Sequence, residues 1–175
     1  MIETHPPAIA AQPVPTPAQG GEERVRVLSV LVEDGSSTLT KVAGMIRRRG
    51  FHVRAIAVGP SGAPGRSRMT LQIDAGHAEV DQVRKQLERL VEVLEIEDLT
   101  EHDVHSRELV VARVPVSAVP ELVAKGARVL ETGSVSTTIE FAGEGDEVGA
   151  FVEELRCHGN LDVVRSGPVV MRRTV

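Results

Sequence analysis

The chain has 175 residues and a mass of 18.8 kDa; 41% of its residues are hydrophobic, 26% are charged, and its net charge is −5. This acidity argues against non-specific nucleic-acid binding, which needs an excess of Lys and Arg. The lack of an apolar run of about 18 residues argues against a membrane-spanning helix. A single cysteine, Cys157, excludes an internal disulfide, and without a targeting pattern we expect a cytoplasmic protein.

Residues 1–23 are predicted to be a disordered Pro- and Ala-rich tail. Five of the ten prolines fall in this segment, which shows no apolar periodicity. Such a composition buries too little apolar surface to offset the entropy of ordering the chain.

From residue 24 the pattern changes to alternating strands and helices. Val25–Val32 is a β-branched run typical of a central strand, and Leu39, Val42 and Ile46 fall on one face of a helix that follows it. The predicted strands cover residues 25–32, 51–58, 68–74 and 91–99, and the predicted helices cover 39–46 and 80–90. The order is therefore β-α-β-β-α-β.

The same order recurs in the second half of the chain. The predicted strands cover residues 108–116, 127–132, 135–142, 161–165 and a short edge strand at 168–171, and the predicted helices cover 119–125 and 148–155. We therefore predict an α+β protein of two tandem ferredoxin-like domains, at 24–100 and 107–175, joined by a linker at 101–106. Because helices cover one face of each sheet, we expect a second chain to cover the other face.

Four clusters have some chemical character, and each is better explained structurally. His102-Asp103-Val104-His105 has too few ligands for a typical metal site. Cys157-His158 lacks the third group that orients a nucleophile and its base. The glycine-rich segment 143–149 lacks the spacing and the Lys-Ser/Thr of a phosphate loop, and Arg47-Arg48-Arg49 fits the end of a helix.

The strongest candidate site is the polar loop Asp34–Leu39, which joins a central strand to a helix N-terminus. Free backbone N–H groups and the positive end of the helix dipole favour a carboxylate there. Asp34 would match an ammonium group, so the pair suits an α-amino acid. The alternative is a plain helix cap.

At these residues the sequence resembles the regulatory (small) subunit family of acetolactate synthase. The matching positions in the first domain are Val27–Glu33, Leu39, Val42, Gly44, Arg49–Phe51, Ser67–Thr70, Lys85–Leu87 and Leu90–Leu94. In the second domain they are Arg107–Leu109 and Arg165–Gly167. The resemblance covers about residues 25–170.

The resemblance implies a first domain of the ACT type, which pairs as a homodimer and holds an amino acid at the pairing interface. It implies a subunit without catalysis of its own, which binds and activates a catalytic subunit in branched-chain amino-acid biosynthesis. That partner uses thiamine diphosphate, magnesium and FAD, while this chain would need no cofactor. The family also confers feedback inhibition by valine.

The resemblance places the effector site at eight residues: Asp34, Gly35, Ser36, Ser37, Thr38, Leu39, His52 and Val53, with His52 contributed across the dimer. Three positions depart from the family pattern, since Asp34 and His52 replace asparagines and Ser37 replaces a glycine. Asp34 would repel a carboxylate, Ser37 places a Cβ near the ligand and would be strained at a glycine-type φ, and His52 is bulkier. We therefore predict weak or altered valine inhibition. The first helix of the second domain, around 119–125, is also shorter than the family's.

One alternative is a free-standing ACT-type amino-acid sensor with a diverged ligand and another partner. An RNA-binding sandwich of the same strand order would need surface aromatics, and the chain has only three, all Phe. An enzyme would need an acid, base and nucleophile that can be placed together, and none is evident.

Overall fold

The computed structural model describes residues 24–48, 51–100, 102–159 and 162–174. The first domain contains β1 (Arg24–Glu33), α1 (Thr38–Arg48), β2 (His52–Pro60), β3 (Arg66–Ala75), α2 (His77–Leu87) and β4 (Val93–Asp98). The second contains β5 (Val104–Pro115), α3 (Val119–Ala124), β6 (Arg128–Thr132), β7 (Ser136–Gly143), α4 (Gly145–Cys157), β8 (Asp162–Arg165) and β9 (Val169–Arg172). This confirms the predicted tandem βαββαβ order; the predicted tail lies outside the described residues. No described helix has the length and apolarity needed to cross a membrane.

The first sheet is antiparallel with the strand order β2-β3-β1-β4. Alternate residues of β1, namely Leu28, Val30 and Val32, are at most 1% exposed because they face the two helices. From α1, Val42 and Ile46 pack against them. The core thus lies between the helices and one face of the sheet, as the apolar periodicity predicts.

The second sheet has the order β6-β7-β5-β8 and its own core, in which Leu122 of α3 and Leu155 of α4 are fully buried. Helix α3 has only six residues and ends at Ala124; Gly126, two residues later, has a φ of +99°. The Ala127 N–H donates to the Leu122 carbonyl at 3.0 Å, which closes the helix end. A glycine suits this position because its φ is positive.

Strands β8 and β9 run along the same edge of β5, one after the other. The register pairs Val110 with Arg165 and Arg107 with Val169, so β9 follows β8 after one extra residue. Gly167, with a φ of +71°, lies in this break and approaches Ala55 of the first domain. Because β9 pairs with its first residues, β5 begins at Val104, four residues before the predicted strand.

Strand β9 also covers part of the first sheet's outer face. Its Arg172 forms an ion pair of 2.5 Å with Glu97 of β4, and Ser29 and Thr70 in the middle of that face are at most 4% exposed. The chain's own last strand therefore lies against part of this face, and the expectation that a second chain covers the face stays a prediction. This cover is a long-range contact that periodicity does not reveal.

Candidate functional site

The loop between β1 and α1 is attached to the neighbouring strand through Asp34. The Asp34 N–H donates to the Gly65 carbonyl at 2.9 Å, and its carboxylate accepts a hydrogen bond from the Ser67 hydroxyl. Asp34 itself is exposed. Its negative charge therefore stands at the mouth of the loop, held in place by β3.

The turn into α1 is organised around Thr38, which is 3% exposed. Its N–H donates to the Gly35 carbonyl at 3.1 Å, and its hydroxyl donates to the Glu33 carbonyl at 3.1 Å. A Cβ added at Gly35 would lie 2.8 Å from the Thr38 hydroxyl. Both residues thus shape the loop from within, and the Thr38 hydroxyl is already engaged by the backbone.

Ser36 and Ser37 are exposed, and Ser37 precedes the first residue of α1. The Lys41 N–H donates to the Ser37 carbonyl at 2.9 Å, the first bond of the helix. Ser37 does not have a positive φ, since no non-glycine residue of the described chain does. The prediction that Ser37 would be strained at a glycine-type φ is therefore wrong: as a helix-initiating residue it adopts an ordinary backbone conformation.

The helix N-terminus leaves the N–H groups of Leu39 and Thr40 directed out of the first turn, where intrahelical acceptors are lacking. Leu39 is 47% exposed beside them. A pair of such N–H groups with the positive end of the helix dipole can hold a carboxylate. The loop thus offers a carboxylate-binding end and, at Asp34, a group that matches an ammonium.

An ion pair between Lys41 of α1 and Glu92, the residue before β4, holds the first turn of the helix to the sheet. Hydrogen bonding to Lys41 lowers the pKa of the Glu92 carboxyl below its ordinary value of 4.5. The Glu92 carbonyl also accepts the Glu33 N–H at 2.8 Å. Glu92 therefore joins the end of β1 to the helix that follows it.

His52 and Val53, the other two predicted site residues, open β2 at the opposite end of the sheet. In the strand register His52 lies opposite Asp74 of β3, whereas Glu33, next to the loop, lies opposite Arg66. These two β3 residues are eight positions apart, which is about 27 Å along a strand. One chain does not bring His52 to the loop, so a joint site needs a second chain, and that stays a prediction.

Within its own chain, His52 is engaged by an acidic neighbour. Its Nδ1 lies 2.9 Å from the Asp74 carboxylate, which also contacts Arg54 Nε at 2.5 Å. The Asp74 side chain is 8% exposed, and the His52 side chain is 65% exposed. This cross-strand triad was missed from the sequence because its partners are 22 residues apart and meet only through the β2–β3 register.

Three of the clusters that the sequence analysis attributed to structural roles make ordinary structural contacts. Asp103 pairs with Arg173 at 3.2 Å beside the start of β5. Cys157 is exposed, with its thiol 3.7 Å from the Glu153 carbonyl. The glycine-rich segment forms the start of α4, where the Glu144 N–H donates to Glu147 at 2.8 Å.

Among the described residues, one group of three side chains has the spacing of metal ligands: Glu121, Glu154 and His158. The ammonium of Lys125 lies within this group, 2.8 Å from Glu154 and 3.4 Å from Glu121. Hydrogen bonding to Glu154 raises the pKa of Lys125. Lys125 therefore supplies the positive charge that the two carboxylates need. The i,i+4 spacing of Glu154 and His158 was the one sign of this group in the sequence.

Comparison with known proteins agrees with both domains. Residues 28–95 match the AHAS small subunit-like ACT domain, and residues 107–174 match the family described as the small subunit of acetolactate synthase. The chain is 36% identical over 152 residues to a probable acetolactate synthase small subunit from Archaeoglobus fulgidus, covering 83% of this chain and 95% of that protein. It is 32% identical over 155 residues to the acetolactate synthase small subunit of Haemophilus influenzae, covering 85% of this chain and 95% of that protein.

A solved structure shows the same two-domain arrangement. The acetolactate synthase small subunit from Thermotoga maritima superposes with a TM-score of 0.79 at 27% identity, covering 87% of this chain and 99% of that one. The likeness thus extends over both domains rather than over the first alone. The chain belongs to the acetolactate synthase small-subunit family, whose members are regulatory subunits that carry an ACT domain rather than a catalytic one.

Proposed function

We propose that the chain binds and activates the thiamine-diphosphate-dependent catalytic subunit of acetolactate synthase, in branched-chain amino-acid biosynthesis. The observation that carries the proposal is the match of both domains, at residues 28–95 and 107–174, to this family. In this proposal thiamine diphosphate, magnesium and FAD belong to the catalytic subunit. This chain contributes binding and regulation.

We further propose that the effector site is formed between two copies of the chain. The α1 N-terminus of one protomer would hold the carboxylate of an amino acid, and Asp34 its ammonium. The partner would contribute its β2 start, with His52 polar and Val53 apolar. The 65% exposure of the His52 side chain supports this, because the ring is available at the surface.

Valine inhibition is expected to be weak because the Asp34 carboxylate, which would attract a ligand's ammonium, would also repel its carboxylate at the adjacent helix N-terminus. An asparagine at this position could donate a hydrogen bond to a carboxylate, whereas Asp34 only accepts and carries a negative charge. Ser67 holds the Asp34 carboxylate at the loop, so the charge stays close to the helix N-terminus. His52, engaged with Asp74, is also less free to turn toward a ligand than an unpaired side chain would be.

The test is acetolactate formation by the catalytic subunit from the same organism, measured with increasing amounts of this chain and across a valine titration. We expect activity to rise to saturation with the chain and to stay largely uninhibited by valine. A variant combining Asp34→Asn, Ser37→Gly and His52→Asn restores the family residues and should become more sensitive to valine without losing activation.

The outcomes separate the two parts of the proposal. Activation combined with ordinary valine inhibition of the unmodified chain would keep the subunit role and overturn the interpretation of Asp34. No activation at any ratio of the two chains would overturn the subunit role and favour the stand-alone amino-acid sensor.

A further inference from the structure

A cavity of about 560 Å³ lies on the first sheet's outer face, at the same end of the sheet as the effector loop. The β2–β3 hairpin and strand β9 form its two sides, and its apolar wall includes Leu31, Ala57, Val169 and Met171. Ligand sites commonly have volumes of roughly 300 to 1,000 Å³ and lie where two domains meet. The cavity satisfies both conditions, because β9 belongs to the second domain.

Two guanidinium groups give this cavity a positive charge. Arg66 and Arg68 line it, and no Asp or Glu does. Across the part of the chain that the structure describes, neither arginine forms an ion pair within 4.0 Å, although Glu33 stands opposite Arg66 in the strand register. Arg68 donates a hydrogen bond of 2.8 Å to the Ser29 hydroxyl and is partly buried.

A partly buried guanidinium without a counter-ion is unfavourable, since it loses hydration without gaining an opposite charge. Arginine binds carboxylate, sulfonate and phosphate oxygens with two parallel hydrogen bonds, so an anion in this cavity would satisfy it. The apolar wall on the β9 side would bury the rest of such a molecule. The two halves of the cavity therefore match an amphiphilic anion better than inorganic phosphate or a neutral apolar compound.

We propose that this cavity binds a small organic anion with an apolar body, its anionic group against Arg68 and Arg66 and its body against Leu31, Val169 and Met171. The site shares no residue with the predicted effector site. It goes beyond the proposed function, since it depends on neither valine nor the catalytic subunit. Because β9 closes it, an occupant would contact both domains at once.

The test uses 8-anilinonaphthalene-1-sulfonate as the probe on the full chain. The chain contains no Trp or Tyr, so the probe's fluorescence is measured without interference from the protein. We expect one saturable site per chain, displaced by octanoate and not by 1-octanol. N-phenyl-1-naphthylamine, which lacks the sulfonate, should bind at least tenfold more weakly.

Two variants test the site, and a third is the control. Arg68→Met should weaken binding of the sulfonate at least tenfold. Val169→Asp should do the same by placing a negative charge in the wall, and it should leave folding intact because Val169 is 64% exposed. Arg128→Met removes the same charge from the second domain, where Arg128 pairs with Glu140, and should leave binding unchanged. Circular dichroism confirms that each variant is folded.

Several results would overturn the proposal. Equal loss in the Arg68 and Arg128 variants would show a general charge effect, and equal binding of the uncharged naphthylamine would show simple apolar adsorption. A probe signal per chain that falls as protein concentration rises would show that a second copy of the chain occupies the cavity. Displacement by an acidic peptide but not by octanoate would assign the cavity to a protein partner.

Discussion

The ion pair between Glu108 of β5 and Arg165 of β8 allows a quantitative test of how the second domain is held together. Arg165 donates two hydrogen bonds of 2.8 Å to the two carboxylate oxygens. The Glu108 side chain is 6% exposed and that of Arg165 is 45% exposed. Hydrogen bonding to Glu108 raises the pKa of Arg165, so the guanidinium keeps its positive charge.

The unequal burial predicts unequal costs for removing either partner. Arg165→Met leaves a buried carboxylate alone, and breaking buried pairs in this way costs about 3 to 5 kcal/mol. Glu108→Gln leaves a guanidinium that keeps nearly half its exposure and one amide oxygen as an acceptor, so we expect about 1 to 2 kcal/mol. Arg165→Met should therefore be the more destabilising by about 2 kcal/mol.

The measurement is urea unfolding followed by far-ultraviolet circular dichroism, because the chain lacks Trp and Tyr for fluorescence. The double variant completes a thermodynamic cycle, and we expect a coupling energy of at least about 1.5 kcal/mol. If Glu108→Gln costs as much as Arg165→Met, or the coupling is below about 0.5 kcal/mol, the argument from burial fails.

Three further predictions concern single contacts. Gly35→Ala should lower the free energy of unfolding, measured in urea, by about 1 kcal/mol. The new Cβ would lie 2.8 Å from the Thr38 hydroxyl, which would have to move away. Glu92→Gln should flatten the acid side of the stability profile. Lys41 lowers the pKa of Glu92 in the folded chain. The Glu92 carboxylate therefore contributes fully to the free energy of unfolding above pH 4.5, and this contribution is lost as the pH falls through the lowered pKa. Leu122→Ala, at a fully buried position, should lower the stability of the second domain by about 3 kcal/mol in thermal unfolding.

Each of these changes is paired with a second variant, which is a control for Gly35→Ala and Leu122→Ala and the partner residue for Glu92→Gln. Gly44→Ala is expected to be neutral or stabilising, because nothing lies within 4 Å of its Cβ position and alanine favours the helix. Lys41→Met should flatten the acid profile as Glu92→Gln does. Val135→Ala, at an 82% exposed position, should leave stability unchanged. A loss of stability in Gly44→Ala as large as in Gly35→Ala, or in Val135→Ala as large as in Leu122→Ala, would contradict the corresponding prediction. An unchanged acid profile in Lys41→Met would contradict the prediction for Glu92.

Much of the fold follows from local patterns. The strands β1 and β5 and the helices α1 and α4 show their apolar periodicity directly, and each ends within a few residues of the predicted limit. Boundaries were less accurate where tertiary contacts decide them. Leu90, whose spacing fits α2, lies in a turn after Leu87, where the chain must reverse to enter β4.

The position of the candidate site could be predicted from the sequence, but the side-chain contacts within it could not. The Asp34–Leu39 segment was identified because a polar stretch before an amphipathic helix marks a helix start. The Asp74 contact of His52 and the Ser67 contact of Asp34 depend on strand register, which no single segment encodes. The arginine-lined cavity was missed for the same reason, since β9 closes it from the far end of the chain.

The extra residue between β8 and β9 makes the length of segment 166–168 as important as its composition. In β8 it is an odd-numbered residue, Val163, that packs in the second domain's core, whereas in β9 the even-numbered Val170 is the buried one. Side chains alternate between faces with a period of two, so deleting one residue here would exchange Val170 for Val169 and Met171 on the buried side. Engineered versions of this chain should therefore keep the length of Ser166–Pro168 constant, because a change of one residue there inverts every contact of the final strand.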